Sequence, residues 1–149
     1  SMPGAPMPSV TGSLLNQAIT LLYDNGFTTC YVYEQDSDLP EGTVTAQSPE
    51  QGIMTPFNNE VSLWVSAFKN KTFTGRITAE IDVTENNAVL RIVVEDMLDG
   101  RLVDFVEEMQ PGVGLYRLSY TVRCLTAGQK NVKVLLNNVE VLNSAVEVR

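Results

Sequence analysis

The basic residues of this chain are confined to its second half, and this uneven charge most constrains how the chain folds. Residues 1–66 contain no Lys or Arg and seven acidic residues, whereas residues 67–149 hold all ten basic residues and eleven acidic ones. A shift in composition at a short polar stretch, here residues 66–72, is typical of a domain boundary. The sequence therefore predicts two domains of roughly 60 and 80 residues. We assign residues 1–6 to a tag scar and linker, 7–66 to the first domain, 67–72 to a linker and 73–149 to the second domain.

Several classes of protein are excluded by composition. The chain has no histidine, the commonest general base and a common zinc ligand, so Ser-His and Cys-His nucleophile pairs are excluded. With ten basic residues against eighteen acidic ones, it lacks the positive stripe that nucleic acid requires. No apolar run reaches the roughly 18–20 residues that cross a bilayer. Cys30 and Cys124 fall in different predicted domains and are expected to be buried free thiols. We expect no metal, no cofactor and no membrane contact by this fragment.

The first domain is predicted to be one helix on a three-stranded sheet. Ser13 is placed to cap a helix. The helix carries one apolar stripe at i, i+3, i+4 and i+7, formed by Leu15, Ala18, Ile19 and Leu22. Gly26 follows the helix where a left-handed C-terminal cap belongs, with Phe27 as its hydrophobic contact. Three short β segments follow at residues 28–35, 43–48 and 60–66, and turn-rich stretches separate them.

The same residues carry a family resemblance. In order, they are Val10-Thr11-Gly12, Ala18, Leu22, Gly26-Phe27, Pro40-Glu41-Gly42-Thr43-Val44, Gln47-Ser48-Pro49, Gly52 and Val61–Ser66. This series, which covers residues 7–66, resembles a PASTA repeat, the repeat of penicillin-binding proteins and of bacterial eukaryotic-like serine/threonine kinases. The glycines lie where turns require positive φ, and the prolines fix the entry to those turns. Asn58-Asn59 replaces the family's usual Pro-Gly-type turn, and Asn tolerates the same left-handed conformation.

The second domain is predicted to be all-β. Six segments alternate apolar and polar residues, at 76–83, 89–95, 102–109, 115–125, 132–136 and 139–148. Asp99-Gly100 and Asn137-Asn138 are signals for tight hairpins. Regularly spaced strands of this kind predict an antiparallel immunoglobulin-like sandwich, without the Cys…Trp…Cys signature of antibody domains. Some PASTA kinases end in such a β domain, so the order of domains resembles the distal extracellular region of one of these kinases.

The resemblance also implies a function. It implies the extracellular sensor region of a membrane-anchored serine/threonine kinase in signal transduction, recognising peptidoglycan (muropeptide) fragments of the cell wall. The fragment itself would be non-catalytic and would contact itself where the parent kinase dimerises. Two alternatives stay open: a structural spacer or dimerisation segment without ligand, and the C-terminal region of a penicillin-binding protein. Muropeptide stems end in carboxylates, which favour Arg or Lys partners. The first domain has none, so either basic residues of the second domain, such as Arg76, Arg101 or Arg117, supply this pairing, or the repeat binds sugars by stacking and hydrogen bonds.

Four residues are the candidate ligand-binding site: Tyr31, Tyr33, Trp64 and Arg76. Trp64 alternates away from its neighbours and is placed either to stack on a sugar or to pack at the domain junction, which we favour. The order Ser66-Ala67-Phe68-Lys69 matches the S-x-x-K nucleophile motif, but it follows a strand and no K-T-G follows, so we interpret it as accidental. The acidic stretch around Asp36 and Asp38 is interpreted as a solvated turn.

Overall fold

The computed structural model describes residues 2–149 and divides them into two compact units, one ending at Lys69 and the other spanning Asn70–Arg149. This boundary lies inside the segment 67–72 that the sequence assigns to a linker. Ala67 and Phe68 belong to the first unit, since the Ala67 N–H donates to the Gln35 carbonyl and the Phe68 N–H donates to the Glu34 carboxylate. Of the proposed tag scar, Ser1 lies outside the described residues.

The first unit contains one helix and five strands. They are β1 (Gly4–Pro6), α1 (Leu15–Asp24), β2 (Cys30–Gln35), β3 (Val44–Ser48), β4 (Met54–Pro56) and β5 (Val61–Ser66). Within this unit β5 lies between β2 and β3, parallel to β2 and antiparallel to β3, and β1 pairs with β4. The predicted helix and three-stranded sheet are confirmed. The prediction of a linker over 1–6 is wrong for Gly4–Pro6, because these residues pair in register with Met54–Pro56.

Helix α1 buries the predicted stripe but begins differently. Leu15, Ala18, Ile19 and Leu22 are all buried. The residue at the N-cap is Leu14, without a side-chain cap, so the prediction that Ser13 caps the helix is wrong. Ser13 instead accepts the Val44 N–H through its backbone carbonyl. The helix ends as predicted: Gly26 has φ +93° and the Phe27 N–H donates to the Leu22 carbonyl, the left-handed capping arrangement.

The turn before β3 requires glycine. Gly42 has φ +76°, and its N–H donates to the Ser66 carbonyl at 2.8 Å. A Cβ atom built there would lie 2.9 Å from the Phe68 ring, closer than van der Waals contact permits. The motif residue Gly42 therefore serves both the turn conformation and the close packing of the segment that follows β5.

The second unit consists of six strands near the six predicted segments. They are β6 (Phe73–Val83), β7 (Leu90–Leu98), β8 (Arg101–Met109), β9 (Gly114–Cys124), β10 (Gly128–Leu136) and β11 (Val139–Val148). β6 pairs with β9, and a second sheet within the unit has the order β11-β10-β7-β8, with every pair antiparallel. A β domain following the first unit is thus confirmed, and its immunoglobulin-like arrangement stays a prediction.

Two hairpins of this unit turn on the predicted dipeptides. Asp99 and Gly100 both have positive φ, at +49° and +79°, and Leu98 pairs with Arg101 across them. Asn137 and Asn138 have φ of +47° and +66°. Two consecutive residues at positive φ form the tight turn whose twist matches that of the flanking strands. The strands so connected enclose a core that includes Ile77, Val83, Leu90, Ile92, Val94, Leu118, Val122, Cys124, Val132, Val134 and Val148.

No helix among residues 2–149 has the length and hydrophobicity needed to cross a bilayer.

Candidate functional site

Two of the predicted site residues stack on each other. Tyr33 of β2 and Trp64 of β5 are directly paired in the parallel ladder. Their ring centroids are 5.5 Å apart and the ring planes make an angle of 20°. Paired residues of neighbouring strands project from the same face of a sheet. The two rings are therefore stacked against each other, and both are half-buried on that face.

The rest of this sheet face carries one more aromatic residue and several small ones. Tyr31 lies two residues before Tyr33 on the same face and is paired with Ser62. On the other side of β5, Ala46 is paired with Trp64 and Ser48 with Ser62. The intervening residues Val32 and Leu63, which project from the opposite face, are 0% exposed. We call the set Tyr31, Tyr33, Ser62 and Trp64 the aromatic face.

Acidic side chains of the first unit hold its last residues. A carboxylate oxygen of Glu34 accepts the Phe68 N–H at 2.9 Å, and the Glu41 carboxylate accepts the Lys69 N–H. Asp36 and Asp38 are exposed. Among residues 2–149 no three His, Cys, Asp or Glu side chains are grouped so that they could hold a metal ion.

Arg76, the fourth predicted site residue, lies in the other unit. It projects from the exposed face of β6, opposite Thr121 of β9, and one guanidinium nitrogen donates to the Ser119 hydroxyl at 2.6 Å. The structure thus brings Tyr33 and Trp64 into contact, places Tyr31 beside them on the same face, and assigns Arg76 to a separate element of the second unit.

A buried polar cluster in the second unit escaped the sequence analysis. The Asp96 carboxylate, 0% exposed, is 3.1 Å from the Lys130 ammonium, which is 5% exposed. Asp96 also accepts the backbone N–H groups of Met97 at 2.8 Å and Leu125 at 2.6 Å, and the Thr126 hydroxyl at 3.1 Å. The alternation of buried residues in the sequence does place both charges inward. On β7 the buried positions Leu90, Ile92 and Val94 continue to Asp96. On β10 Lys130 occupies the inward position two residues before Val132. Asp96 and Lys130 join the ends of β7, β9 and β10.

This cluster affects the neighbouring thiol. Burial and, to a smaller extent, the Asp96 carboxylate raise the pKa of Cys124 from its ordinary 9.0 to about 11, while Lys130 and Lys71 oppose the shift. Cys124 is 0% exposed and has no disulfide partner. A neutral, enclosed thiol is a poor nucleophile, so Cys124 packs in the core, as predicted. Cys30 is also buried and free.

A carboxyl group on β8 is also perturbed. Burial raises the pKa of Asp104, the Glu95 carboxylate directly across the strand pair raises it further, and Lys133 opposes both.

Comparison with known proteins decides the family of the first unit. Residues 5–67 match the PASTA domain family over a span that includes the aromatic face and the last two residues of β1. These residues are a PASTA domain. No curated protein is similar enough to count as a relative. A solved structure of the entire extracellular region of the Ser/Thr kinase PrkC from Staphylococcus aureus is similar at 19% identity and a TM-score of 0.41.

That similarity covers 98% of this chain and 52% of the PrkC chain, so this chain spans about half the length of its counterpart. The TM-score is too low to establish a common arrangement of the two chains. The PASTA assignment itself accounts for the first unit: its motif residues Gly26 and Gly42 form the helix cap and the turn before β3. Tyr31, Tyr33 and Trp64 belong to the PASTA domain, and Arg76 lies outside it.

Proposed function

We propose that this chain is part of the extracellular sensor region of a membrane-anchored bacterial serine/threonine kinase, and that it binds peptidoglycan fragments on the aromatic face of its PASTA domain. PASTA repeats occur in kinases of this kind and in penicillin-binding proteins, and a β domain following the repeat favours the kinase. In this proposal the fragment transfers no phosphate. Muropeptide binding outside the cell would bring parent kinases together, and their catalytic domains inside would then meet.

The observation that carries the binding proposal is the stack of Tyr33 on Trp64. The two rings lie in nearly parallel planes with centroids 5.5 Å apart, so Tyr33 packs on one face of the Trp64 indole and holds it rigidly. Sugar rings present C–H groups on one face, and the flat face of an aromatic ring is the surface that such groups pack against. Tyr and Trp also keep a polar O–H or N–H at the ring edge, which suits them to a ligand rich in hydroxyls. Ser62 adds a hydroxyl beside Tyr31 on the same face.

On the side away from Tyr33, the Trp64 indole has small neighbours on β3. Ala46 is paired with Trp64 and Ser48 with Ser62, and both Ala46 and Ser48 are exposed. Neither side chain is large enough to cover the indole ring. A sugar lying on Trp64 therefore meets no bulky side chain from β3.

Binding to substituted domains tests the proposal. The affinity of a muropeptide would be measured by calorimetry for the parent chain and for Trp64→Ala and Tyr33→Ala. Loss of one stacking partner is expected to weaken binding by about two- to tenfold, since an aromatic contact contributes about 0.5–1.5 kcal/mol beyond its buried area. Tyr23→Ala is the matched control, because Tyr23 is an exposed aromatic residue of the same domain on α1. Equal affinities for all four chains would refute the aromatic face as the site.

A spacer without ligand is the second candidate, favoured by a specific observation. The first 66 residues contain no Lys or Arg that would pair with the carboxylates of a muropeptide stem. In that case calorimetry would detect no heat of binding to the parent chain at millimolar muropeptide. The remaining alternative is the C-terminal region of a penicillin-binding protein, and the sequence of the parent protein distinguishes it. A parent kinase would carry a kinase domain and one membrane-spanning helix before this region, whereas a penicillin-binding protein would carry a transpeptidase domain there.

A further inference from the structure

A groove of about 350 Å³ lies between β6 and β11 of the second unit. It is lined by residues 76–78 of β6 and by residues 142 and 144–147 of β11. All of these residues belong to the second unit. The groove is therefore a feature of this β domain alone, separate from the aromatic face of the PASTA domain.

The groove exists because β6 and β11 are hydrogen-bonded to each other at a single residue pair. Thr74 and Arg149 exchange both backbone hydrogen bonds, at 3.2 and 3.0 Å, as a pair in an antiparallel ladder does. Next to them the strands are very close, since a Cβ atom at Gly75 would lie 2.6 Å from the Glu147 carbonyl oxygen. Beyond this point β6 is hydrogen-bonded only to β9, and β11 only to β10.

Backbone groups on both sides of the groove consequently have no partner strand. In an antiparallel ladder alternate residues direct both their N–H and their C=O to the same side. The N–H and C=O of Thr74 point toward β11, so the same groups of Arg76 and Thr78 also point toward β11. The N–H and C=O of Arg149 point toward β6, so the same groups of Glu147 and Ala145 also point toward β6. Such open strand edges are the surfaces to which extended peptides add as a further strand.

Opposite charges stand on the two sides of this groove. Arg76 lines it from β6 and Glu147 lines it from β11, and both side chains are exposed. Within residues 2–149 neither forms a salt bridge. The guanidinium has five N–H groups, of which one is donated to Ser119, so the others remain for a ligand. The hydroxyls of Thr78 and Ser144 add polar groups to the lining.

We propose that this groove binds a short peptide that carries both a free carboxylate and a free amino group. Arg76 binds the carboxylate and Glu147 binds the ammonium group, while the open edges of β6 and β11 bind the peptide backbone. The choice of a peptide rests on the proposed function, because the stem of a muropeptide is a peptide of this chemistry. The groove of the second unit then supplies a cation for the peptide's carboxylate, a group that the first 66 residues lack.

The test uses the tripeptide L-Lys-D-Ala-D-Ala, which has both charged groups and no sugar, titrated into the ¹⁵N-labelled chain. We expect saturable shifts of the backbone amides of Arg76, Thr78, Ser144 and Glu147. Arg76→Ala is expected to weaken binding by about tenfold, the effect of losing one charge-assisted contact. Amidation of the peptide's carboxylate should weaken binding to the parent chain by a similar factor, and Glu147→Gln should weaken binding of the lysine-containing peptide.

Arg117→Ala is the matched control. Arg117 is also an exposed arginine on the outer face of β9, but it lies 3.6 Å from Glu80 and outside the groove, so its loss should leave the affinity unchanged. Unchanged amide spectra at 10 mM tripeptide would overturn the proposal, and so would an equal loss of affinity in Arg117→Ala and Arg76→Ala. A muropeptide could shift the amide signals of the aromatic face while neither it nor the tripeptide shifts those of the groove. That result would overturn peptide binding in the groove and leave the proposed function standing.

Discussion

Replacement of Asp96 by alanine should strongly destabilise the second unit. The carboxylate is fully buried and accepts hydrogen bonds from the Lys130 ammonium, the Thr126 hydroxyl and two backbone N–H groups. Removing one member of a buried ion pair costs about 3–5 kcal/mol, because the remaining charge stays buried without a partner. A domain of about 80 residues has a total stability of about 4–12 kcal/mol, at about 0.05–0.15 kcal/mol per residue. The substitution therefore removes between about a quarter and all of the stability.

Urea unfolding followed by ¹⁵N-resolved NMR measures this loss, because the amide signals of the second unit are followed separately from those of the PASTA domain. The expected midpoint for Asp96→Ala is far below that of the parent chain. Combining Asp96→Ala with Lys130→Met should recover part of the loss, since the uncompensated ammonium is then gone. Asp82→Ala is the control, an exposed carboxylate on β6 whose removal should change stability by less than about 0.5 kcal/mol. A loss below about 1 kcal/mol for Asp96→Ala would refute this reasoning.

Three further predictions concern the second unit. Gly75→Ala should destabilise it by about 1–3 kcal/mol in urea unfolding, since the new methyl group would lie 2.6 Å from the Glu147 carbonyl oxygen. An unchanged urea midpoint would contradict the close approach of the two strands. Asn138→Ala should lower the free energy of unfolding by about 1 kcal/mol and Asn138→Gly by much less, because φ is +66° at this position. Equal losses of stability in the two variants would show that backbone conformation is not the cause. As pH rises from about 9 to about 11, the free energy of unfolding should fall more in the parent chain than in Cys124→Ala. The reason is that the pKa of the thiol is 9.0 in the unfolded chain and about 11 in the folded one, so the unfolded state loses its proton first. Parallel plots of unfolding free energy against pH for the two chains would contradict the raised pKa.

Much of the fold follows from local patterns. The stripe at Leu15, Ala18, Ile19 and Leu22 fixes the helix, and the two-residue signals at Asp99-Gly100 and Asn137-Asn138 fix two hairpins, because each depends only on neighbouring residues. The β1–β4 pair was not predictable in the same way. Its strands are three residues long, which is too short for an alternation to show, and they pair across fifty positions of sequence.

The candidate site was predictable residue by residue but not as an arrangement. Alternation places Tyr31 and Tyr33 on one face of their strand, and Trp64 away from Leu63 and Val65. That Tyr33 stacks on Trp64 depends on the register of β2 against β5, which local sequence does not encode. The groove beside Arg76 depends on where β6 and β11 stop pairing, at Thr74 and Arg149, and the pairing of residues so distant in sequence is a tertiary property.

The buried ion pair was missed for a different reason. Its two residues occupy inward positions of alternating strands, at Asp96 after Val94 and at Lys130 before Val132. Charged residues are normally assigned to the surface, because burial without a partner is costly. Only the fold shows that β7 and β10 are adjacent and bring the two charges together.

The most direct test of the account is a titration of the ¹⁵N-labelled chain with a muropeptide of defined stem sequence, following backbone and indole amide signals. We predict saturable shifts of Tyr31, Tyr33, Ser62 and the Trp64 indole, with the Trp64→Ala chain showing them weakly or not at all. Unchanged spectra at millimolar muropeptide would contradict peptidoglycan recognition by this chain.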